Sequence, residues 1–162
     1  MVGIREATGN NDGPQVERFL AYVGLGKGYP WCAAFVCTMY GDMCIDNPRS
    51  AWVPDLFKDH IIWKSSYSDW RTGINLFRKG DIYSIWFASK NREAHTGIVI
   101  GWDADYLYTV DGNTNIAGSR EGDGVYKKKR PKRQVYAIAD YLGGERRNDW
   151  REDGKYALIK ND

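Results

Sequence analysis

The spacing of apolar residues changes from helical to strand-like near the middle of the chain, and this change constrains the fold more than any other feature. Apolar residues at helical spacing, preceded by Pro14, predict a helix over about 14–23. Because proline is favoured in the first turn of a helix, a second helix should begin within a residue or two of Pro30 and end near 41–43. Its apolar residues lie almost all round the axis, which predicts a central position. A shorter helical stretch follows over about 50–57.

The second half of the chain predicts an antiparallel sheet. The predicted strands cover 82–87, 96–102, 106–110, a stretch that begins at 124–126, and 135–139, with a possible edge strand at 156–159. The tight turn 103–105 pairs the second of these with the third, so that position 111 lies opposite about position 97. Residues 59–75 have a mixed pattern, and 143–154 predict a surface loop. Helices followed by an antiparallel sheet predict a single α+β domain over 1–162.

Length, composition and charge exclude several classes of protein. With 162 residues, of which 43% are hydrophobic, the chain is long and apolar enough for one folded core. A net charge of +2 gives no reason to expect nucleic acid as a partner, and no apolar run is long enough to span a bilayer. No signal segment is visible at the start of the chain, so synthesis in the cytoplasm without a signal peptide is expected.

The three clustered cysteines, Cys32, Cys37 and Cys44, do not fit a disulfide framework, and two histidines give little support to a zinc site. Cys32 differs from the other two because it follows Pro30 at the predicted helix start. There its sulfur lies near unpaired backbone N–H groups and the positive end of the helix dipole, which favours a nucleophilic thiolate. The alternative is a buried structural cysteine. We therefore expect one working thiol and two cysteines that only pack.

A cysteine nucleophile needs a base within reach, and the base needs an orienting partner. His95 begins a central predicted strand and can face a helix N-terminus packed on the sheet, whereas nothing directs His60 toward Cys32. The predicted strand pairing brings Asp111 or Asn113 beside His95, and either side chain could hold the imidazole. The candidate catalytic residues are therefore Cys32, His95, Asp111 and Asn113.

These residues belong to motifs that resemble those of CHAP domains, the cysteine, histidine-dependent amidohydrolases/peptidases allied to the NlpC-type cell-wall peptidases. The matching segments, in the order and spacing of the family and within about 14–140, are Trp31–Val36, Gly80–Ile82, His95–Val99 and Asp111–Thr114. The resemblance implies a papain-like fold in which N-terminal helices pack on a C-terminal antiparallel sheet. It also implies that Cys32 is the nucleophile and His95 the general base, with no metal and no organic cofactor.

The resemblance further implies hydrolysis of an amide bond in the peptide part of peptidoglycan, as in an endolysin or a secreted antibacterial effector. The bond is either the N-acetylmuramoyl-L-alanine linkage or one within the peptide, and the site of action is the cell wall, periplasmic or extracellular. The sequence leaves open whether an immunity protein or a wall-targeting partner exists. The position of Asp111 is commonly Glu in the family, so the shorter side chain gives Asn113 more weight as the orienting residue. Candidate oxyanion donors are the backbone N–H of Cys32 and the hydroxyl of Tyr29.

Two other segments leave alternatives open. The basic run Lys127–Arg133 could bind an anionic polymer, or it could be only a solvated hairpin between two late strands. The run Asn10–Asp12 has too few carboxylates for a calcium site and favours a cap or a turn. The alternative functions are an intracellular cysteine amidase that acts on small amide-linked molecules, and a non-enzymatic binding module that uses the basic run and a Trp-rich surface.

Overall fold

In the computed structural model of the chain, the described residues are 1–66, 77–115 and 122–143. They form an α+β structure with two α-helices and a six-stranded antiparallel sheet, which confirms the fold class predicted from the order of the patterns. The predicted edge strand over 156–159 and the predicted surface loop beyond residue 143 lie outside the described residues.

Helices α1 (Pro14–Tyr22) and α2 (Cys32–Asp42) confirm the two longer helices predicted from apolar spacing. Gly13 precedes α1 with a φ of 104°, which glycine adopts without strain, and the proline that follows it occupies the first turn. Helix α2 begins two residues after Pro30, within the predicted interval. The third helical stretch is a 3₁₀ helix, Val53–Phe57. In the described part of the chain, no helix has both the length and the apolar character needed to span a lipid bilayer.

The six strands of the sheet are β1 (Ile61–Lys64), β2 (Ile82–Phe87), β3 (Arg92–Trp102), β4 (Tyr106–Thr114), β5 (Gly124–Pro131) and β6 (Ala137–Ala139). Their order in the sheet is β1-β6-β2-β3-β4-β5, and each pair of neighbours is antiparallel. The last five strands agree with the predicted ones, although β3 begins earlier, β4 ends later and β6 begins later than predicted. Strand β1 is not predicted, because the mixed pattern of 59–75 indicates no helix or strand there.

Successive residues of β2 point into two separate apolar clusters on the sheet. Ile82 belongs to a cluster that includes residues of both α-helices, whereas Tyr83 belongs to a second cluster with Val99 and Leu107. This is the alternation expected of a strand that is covered on both faces. The central strands are therefore buried on both sides, which makes them a rigid support for polar side chains.

Aromatic packing fixes the N-terminal end of α2. The Trp31 ring is fully buried and stacks on Phe19 of α1, with 5.7 Å between ring centroids, and Phe35 of α2 meets Phe19 edge to face at 5.5 Å. The indole Nε1–H of Trp31 donates to Oε1 of Glu6 at 2.8 Å, so this polar group is satisfied. These contacts hold the residue immediately before Cys32 and therefore fix where the Cys32 backbone lies.

Candidate active site

Cys32 is the first residue of α2 and is almost completely buried, with 5% of its surface exposed. The hydrogen-bond ladder of the helix starts where the N–H of Phe35 donates to the carbonyl oxygen of Trp31 at 2.8 Å. The amides of the first turn before Phe35 therefore have no acceptor within the helix. They provide the N–H donors and the positive dipole end that the position of Pro30 predicts for this thiol.

His95 lies in β3 opposite Ile85 of β2, with only 1% of its surface exposed. Its Nε2 atom is 3.0 Å from Oδ2 of Asp111. The register of β3 and β4 accounts for this contact, because Ile98 pairs with Val110 as the turn between the two strands predicts. The residue that follows Val110 then projects beside the imidazole.

One oxygen of Asp111 receives several donors. Besides His95 Nε2, Oδ2 accepts hydrogen bonds from the hydroxyl of Tyr83 at 2.7 Å. Arg130 donates to the same oxygen through Nη2 at 2.6 Å and Nε at 3.1 Å. The Nη2 atom of Arg130 also lies 3.3 Å from His95 Nε2. The other oxygen, Oδ1, has no hydrogen-bond partner among the described residues. The carboxylate therefore lies between a guanidinium and an imidazole.

These contacts set opposite pKa shifts on the two members of the pair. Burial is the largest influence on the pKa of His95 and lowers it, but the hydrogen bonds and charges of Asp111 and Cys32 outweigh burial and raise the pKa to about 9. For Asp111, burial is again the largest influence and raises the pKa. The hydrogen bond and charge of His95, together with the charge of Arg130, outweigh it and lower the pKa to about 2. At neutral pH the pair is therefore an imidazolium next to a carboxylate.

Cys32 and His95 are neighbours without a well-formed hydrogen bond between them. The thiol is near enough to raise the pKa of His95 by its hydrogen-bonding capacity and charge. Yet Nδ1 of His95 has no partner with good hydrogen-bond geometry among the described residues. Because Asp111 occupies Nε2, Nδ1 is the ring atom left for the thiol. Loose contacts between nucleophile and base are common before a substrate binds.

The Asn113 side chain forms its hydrogen bonds at the start of α2, whereas an orienting role would require a hydrogen bond to the His95 ring. It is 1% exposed and has a φ of 53°, in the left-handed region that asparagine tolerates. In the amide orientation that satisfies both of its groups, its oxygen accepts the N–H of Trp31 at 3.1 Å, and its nitrogen donates to the carbonyl of Gly122 at 3.0 Å. Within the described part of the chain, the side chain that contacts His95 Nε2 is that of Asp111 and not that of Asn113, which holds the start of α2 instead.

The other two cysteines differ from each other. Cys37 is buried within α2, its thiol donates to the carbonyl oxygen of Ser50 at 3.5 Å, and burial raises its pKa to about 11, all of which agrees with a packing role. Cys44 is exposed, so the prediction that it packs is wrong. The reason is that α2 ends at Asp42, and Cys44 follows in a left-handed conformation with a φ of 57°.

Two lesser candidates lie on the surface. His60 is exposed, stacks on Tyr141 with 4.0 Å between ring centroids, and has Nδ1 3.2 Å from the carbonyl oxygen of Asp140. Tyr29, a candidate oxyanion donor, is 54% exposed in the loop before α2.

The run Asn10–Asp12 forms a turn, which confirms the interpretation preferred from the sequence. The carboxylate of Asp12 accepts the N–H of Thr8 at 2.9 Å and its hydroxyl at 2.6 Å. Across the described residues, no group of three or more His, Cys, Asp or Glu side chains is placed to hold a metal ion.

The basic run Lys127–Arg133 is not a hairpin, contrary to one interpretation of its sequence. Its first five residues belong to β5, where Lys127 and Lys129 are exposed but Arg130 is only 8% exposed. Lys132, just after the strand, is also buried. Arg130 is therefore a site residue that sequence reasoning missed, and the signal that could have found it is the alternation of side chains along a strand.

A polar cavity of about 460 Å³ adjoins the start of α2. Its lining includes Pro30, two residues before Cys32, and Asn113, whose amide holds the start of the helix. The carboxylates of Glu6 and Asp123 also line it. The volume is within the range of pockets that accept small ligands.

No protein-family model matches the chain, and no curated protein and no solved structure matches it. The chemistry of the site is therefore inferred from its own residues.

Proposed function

We propose that the chain is a cysteine hydrolase that cleaves amide bonds, with Cys32 as the nucleophile and His95 as the acid and base. One observation carries the proposal: the thiol at the first turn of α2 adjoins a buried imidazole whose other nitrogen lies 3.0 Å from the Asp111 carboxylate. A buried ion pair contributes little net stability, because desolvation of the two charges offsets their attraction. Its presence beside a thiol therefore favours a chemical role over a packing role.

The arrangement supports acyl transfer through a thioester. The Cys32 thiolate attacks the amide carbonyl carbon, a C–S bond forms, and the carbonyl oxygen becomes an oxyanion that the N–H groups of the first turn stabilise. As the C–N bond breaks, the His95 imidazolium gives its Nδ1 proton to the leaving amine. Water then attacks the thioester and gives a proton to His95, and the C–S bond breaks to release the carboxylic acid. Throughout, Asp111 stays ionised and stabilises the imidazolium.

We propose further that the fold is papain-like and that the substrate is the peptide of peptidoglycan, so that the protein acts at the cell wall. The order of Cys32, His95 and Asp111 along the chain and the CHAP-like motifs around them support this assignment. The cavity next to α2 is lined by Glu6, Asp123 and amide side chains, though by neither Cys32 nor His95, and this polar lining suits a peptide better than an apolar ligand.

Purified peptidoglycan sacculi provide the test. The wild-type protein should release new amino termini from them, and Cys32→Ala should reduce the rate by at least about 10³-fold. The matched control is Cys37→Ala, which removes another buried thiol of the same helix and should keep the activity. Release that survives in Cys32→Ala would contradict the proposal, as would failure of the folded wild-type protein to hydrolyse any amide.

Small amides distinguish the remaining functions. Hydrolysis of γ-glutamyl or other small amides, with inert sacculi, would favour the intracellular amidase. A binding module without enzymatic activity would depend on the basic run Lys127–Arg133. The burial of Arg130 and Lys132 weighs against it, because these two cations do not face solvent.

A further inference from the structure

Arg130 is a buried cation whose position is not explained by packing. It is 8% exposed, and its Nη2 atom lies 2.6 Å from Oδ2 of Asp111 and 3.3 Å from Nε2 of His95. Burying a guanidinium is unfavourable unless it is paired, and apolar side chains in place of a buried ion pair often stabilise a protein. A structural need alone would be met at a lower free-energy cost by an apolar residue of β5.

The contacts of Asp111 and Arg130 with Nε2 of His95 exclude each other as hydrogen bonds. Nε2 of His95 cannot donate a proton to Asp111 and also accept one from Arg130, so only one of these two hydrogen bonds exists at a time. With the ring protonated, as its raised pKa indicates, Nε2–H donates to Oδ2 and the guanidinium faces the ring as a like charge. Arg130 therefore has two effects, since it holds the carboxylate and opposes the imidazolium.

We propose that Arg130 is a positioning residue: by sharing Oδ2 of Asp111 with His95, it keeps the carboxylate in place and limits how tightly the ring retains its proton. Without Arg130, the imidazolium would be the one cation in contact with the carboxylate among the described residues, and the ring would be a weaker acid toward a leaving amine. This catalytic consequence rests on the proposed hydrolase function, whereas the change in proton affinity does not.

Other charged and titratable groups lie on the elements packed around the ring and its carboxylate. Cys32 of α2 and Asp111 of β4 act on the ring itself, and Tyr83 of β2 and Lys128 and Arg130 of β5 act on the Asp111 carboxylate. Glu93 lies two residues before His95 on β3. Within the described part of the chain, Arg130 is the group in this set that joins a fixed positive charge to contacts with both Asp111 and the ring. A test must therefore change the charge of Arg130 and leave the others in place.

NMR titration of nitrogen-15-labelled histidine rings measures the proton affinity directly. The chain has two histidines, so the surface ring of His60 is an internal control in every sample. In Arg130→Gln, the midpoint of His95 should rise by about one pH unit. Arg130→Lys keeps the charge and should move the midpoint by less than half as much. An unchanged or lower midpoint in Arg130→Gln would overturn the proposal.

Tyr83→Phe is the matched control, because it removes a neutral donor from the same carboxylate oxygen. It should shift the His95 midpoint by less than Arg130→Gln does, and an equal or larger shift would show that the charge of Arg130 is not the cause.

The wild-type protein supplies a second measurement that does not depend on a variant folding. The Nε–H resonance of Arg130 should shift with the same midpoint as the His95 ring, and a resonance that ignores that midpoint would overturn the proposal. In parallel, the alkaline limb of kcat/KM on sacculi should move upward with the NMR midpoint in Arg130→Gln. If no amide is hydrolysed while the two resonances titrate together, the hydrolase function fails and the coupling of Arg130 to His95 stands.

Discussion

Gly97 lies against the carboxylate of Asp111 across the β3–β4 pair, and the space between them cannot hold a side chain. A Cβ atom at Gly97 would collide with Oδ1 of Asp111 and come within 3.0 Å of the Tyr83 ring. The absence of a side chain at Gly97 leaves the space that Oδ1 of Asp111 occupies while Oδ2 contacts His95.

Replacement of Gly97 by alanine should therefore displace Asp111 from His95. Because a small misplacement of a positioning group is costly to catalysis, we expect amide hydrolysis to fall by about 10²-fold. Overpacking of the buried site should also lower the free energy of unfolding by about 1–3 kcal/mol. The two effects are measured by release of amino termini and by urea unfolding.

The control for this substitution is Gly26→Ala, at a glycine where an added Cβ would meet open space. It should leave both quantities close to their wild-type values. Full activity in Gly97→Ala would show that Asp111 does not need its present position.

Thiol labelling should distinguish the three cysteines. In a Cys44→Asn background, which removes the exposed thiol and suits the left-handed backbone, iodoacetamide at neutral pH should modify Cys32 and leave Cys37 intact. Cys37 is protected because burial raises its pKa to about 11. Peptide mass spectrometry locates the label, and modification of Cys37 without Cys32 would contradict the assignment of the working thiol.

Stability should depend on pH through the His95–Asp111 pair. The folded state raises the pKa of His95 from 6.5 to about 9, so this stabilisation is complete below about pH 6.5 and is lost as the pH rises through 9. It lowers the pKa of Asp111 from 3.8 to about 2, so that stabilisation is present above about pH 4 and is lost as the pH falls through 2. Urea unfolding across this range should show a decline at each end.

A matched pair of variants tests the decline in the free energy of unfolding at alkaline pH. His95→Gln should remove the decline between about pH 6.5 and 9, and His60→Gln, at an exposed ring, should retain it. A decline that persists unchanged in His95→Gln would assign it to another group.

The amide of Asn113 should stabilise the start of α2. Asn113→Gly keeps a backbone that tolerates a φ of 53° but leaves the N–H of Trp31 without its acceptor, which should lower the free energy of unfolding by about 1–3 kcal/mol. Asn91→Gly is the matched control, since Asn91 has a similar φ of 50° at an exposed position. Equal losses in the two variants, measured by urea unfolding, would mean that only backbone entropy changed.

Much of the fold follows from local patterns. Pro30 limits where α2 can begin, and the tight turn after β3 determines to within one residue the register in which Ile98 lies opposite Val110. A register shift between Val99 and Gly101 lies between the turn and this pair, and it moves the pairing by one residue to the register predicted for Asp111. Local rules suffice here because a helix start and a short hairpin are each determined within a few residues.

The site itself is less predictable where burial depends on a distant partner. Arg130 lies in a run of cations that resembles a solvated segment, and it is buried because Asp111, on the neighbouring strand, compensates its charge. Asn113 is similar, since its partner Trp31 comes from a different part of the chain. Strand β1 is missed for another reason: four residues give too short a pattern to distinguish from a loop.

The position of β5 at the edge of the sheet has a consequence for how the protein is made. A ribosome that has translated the chain through β4 has produced the sulfur, the imidazole and the carboxylate, but not yet the guanidinium of Arg130. Early termination after β4 would therefore leave the Asp111 carboxylate with His95 but without the guanidinium that also pairs with it, and such a product should be degraded faster than the full-length chain.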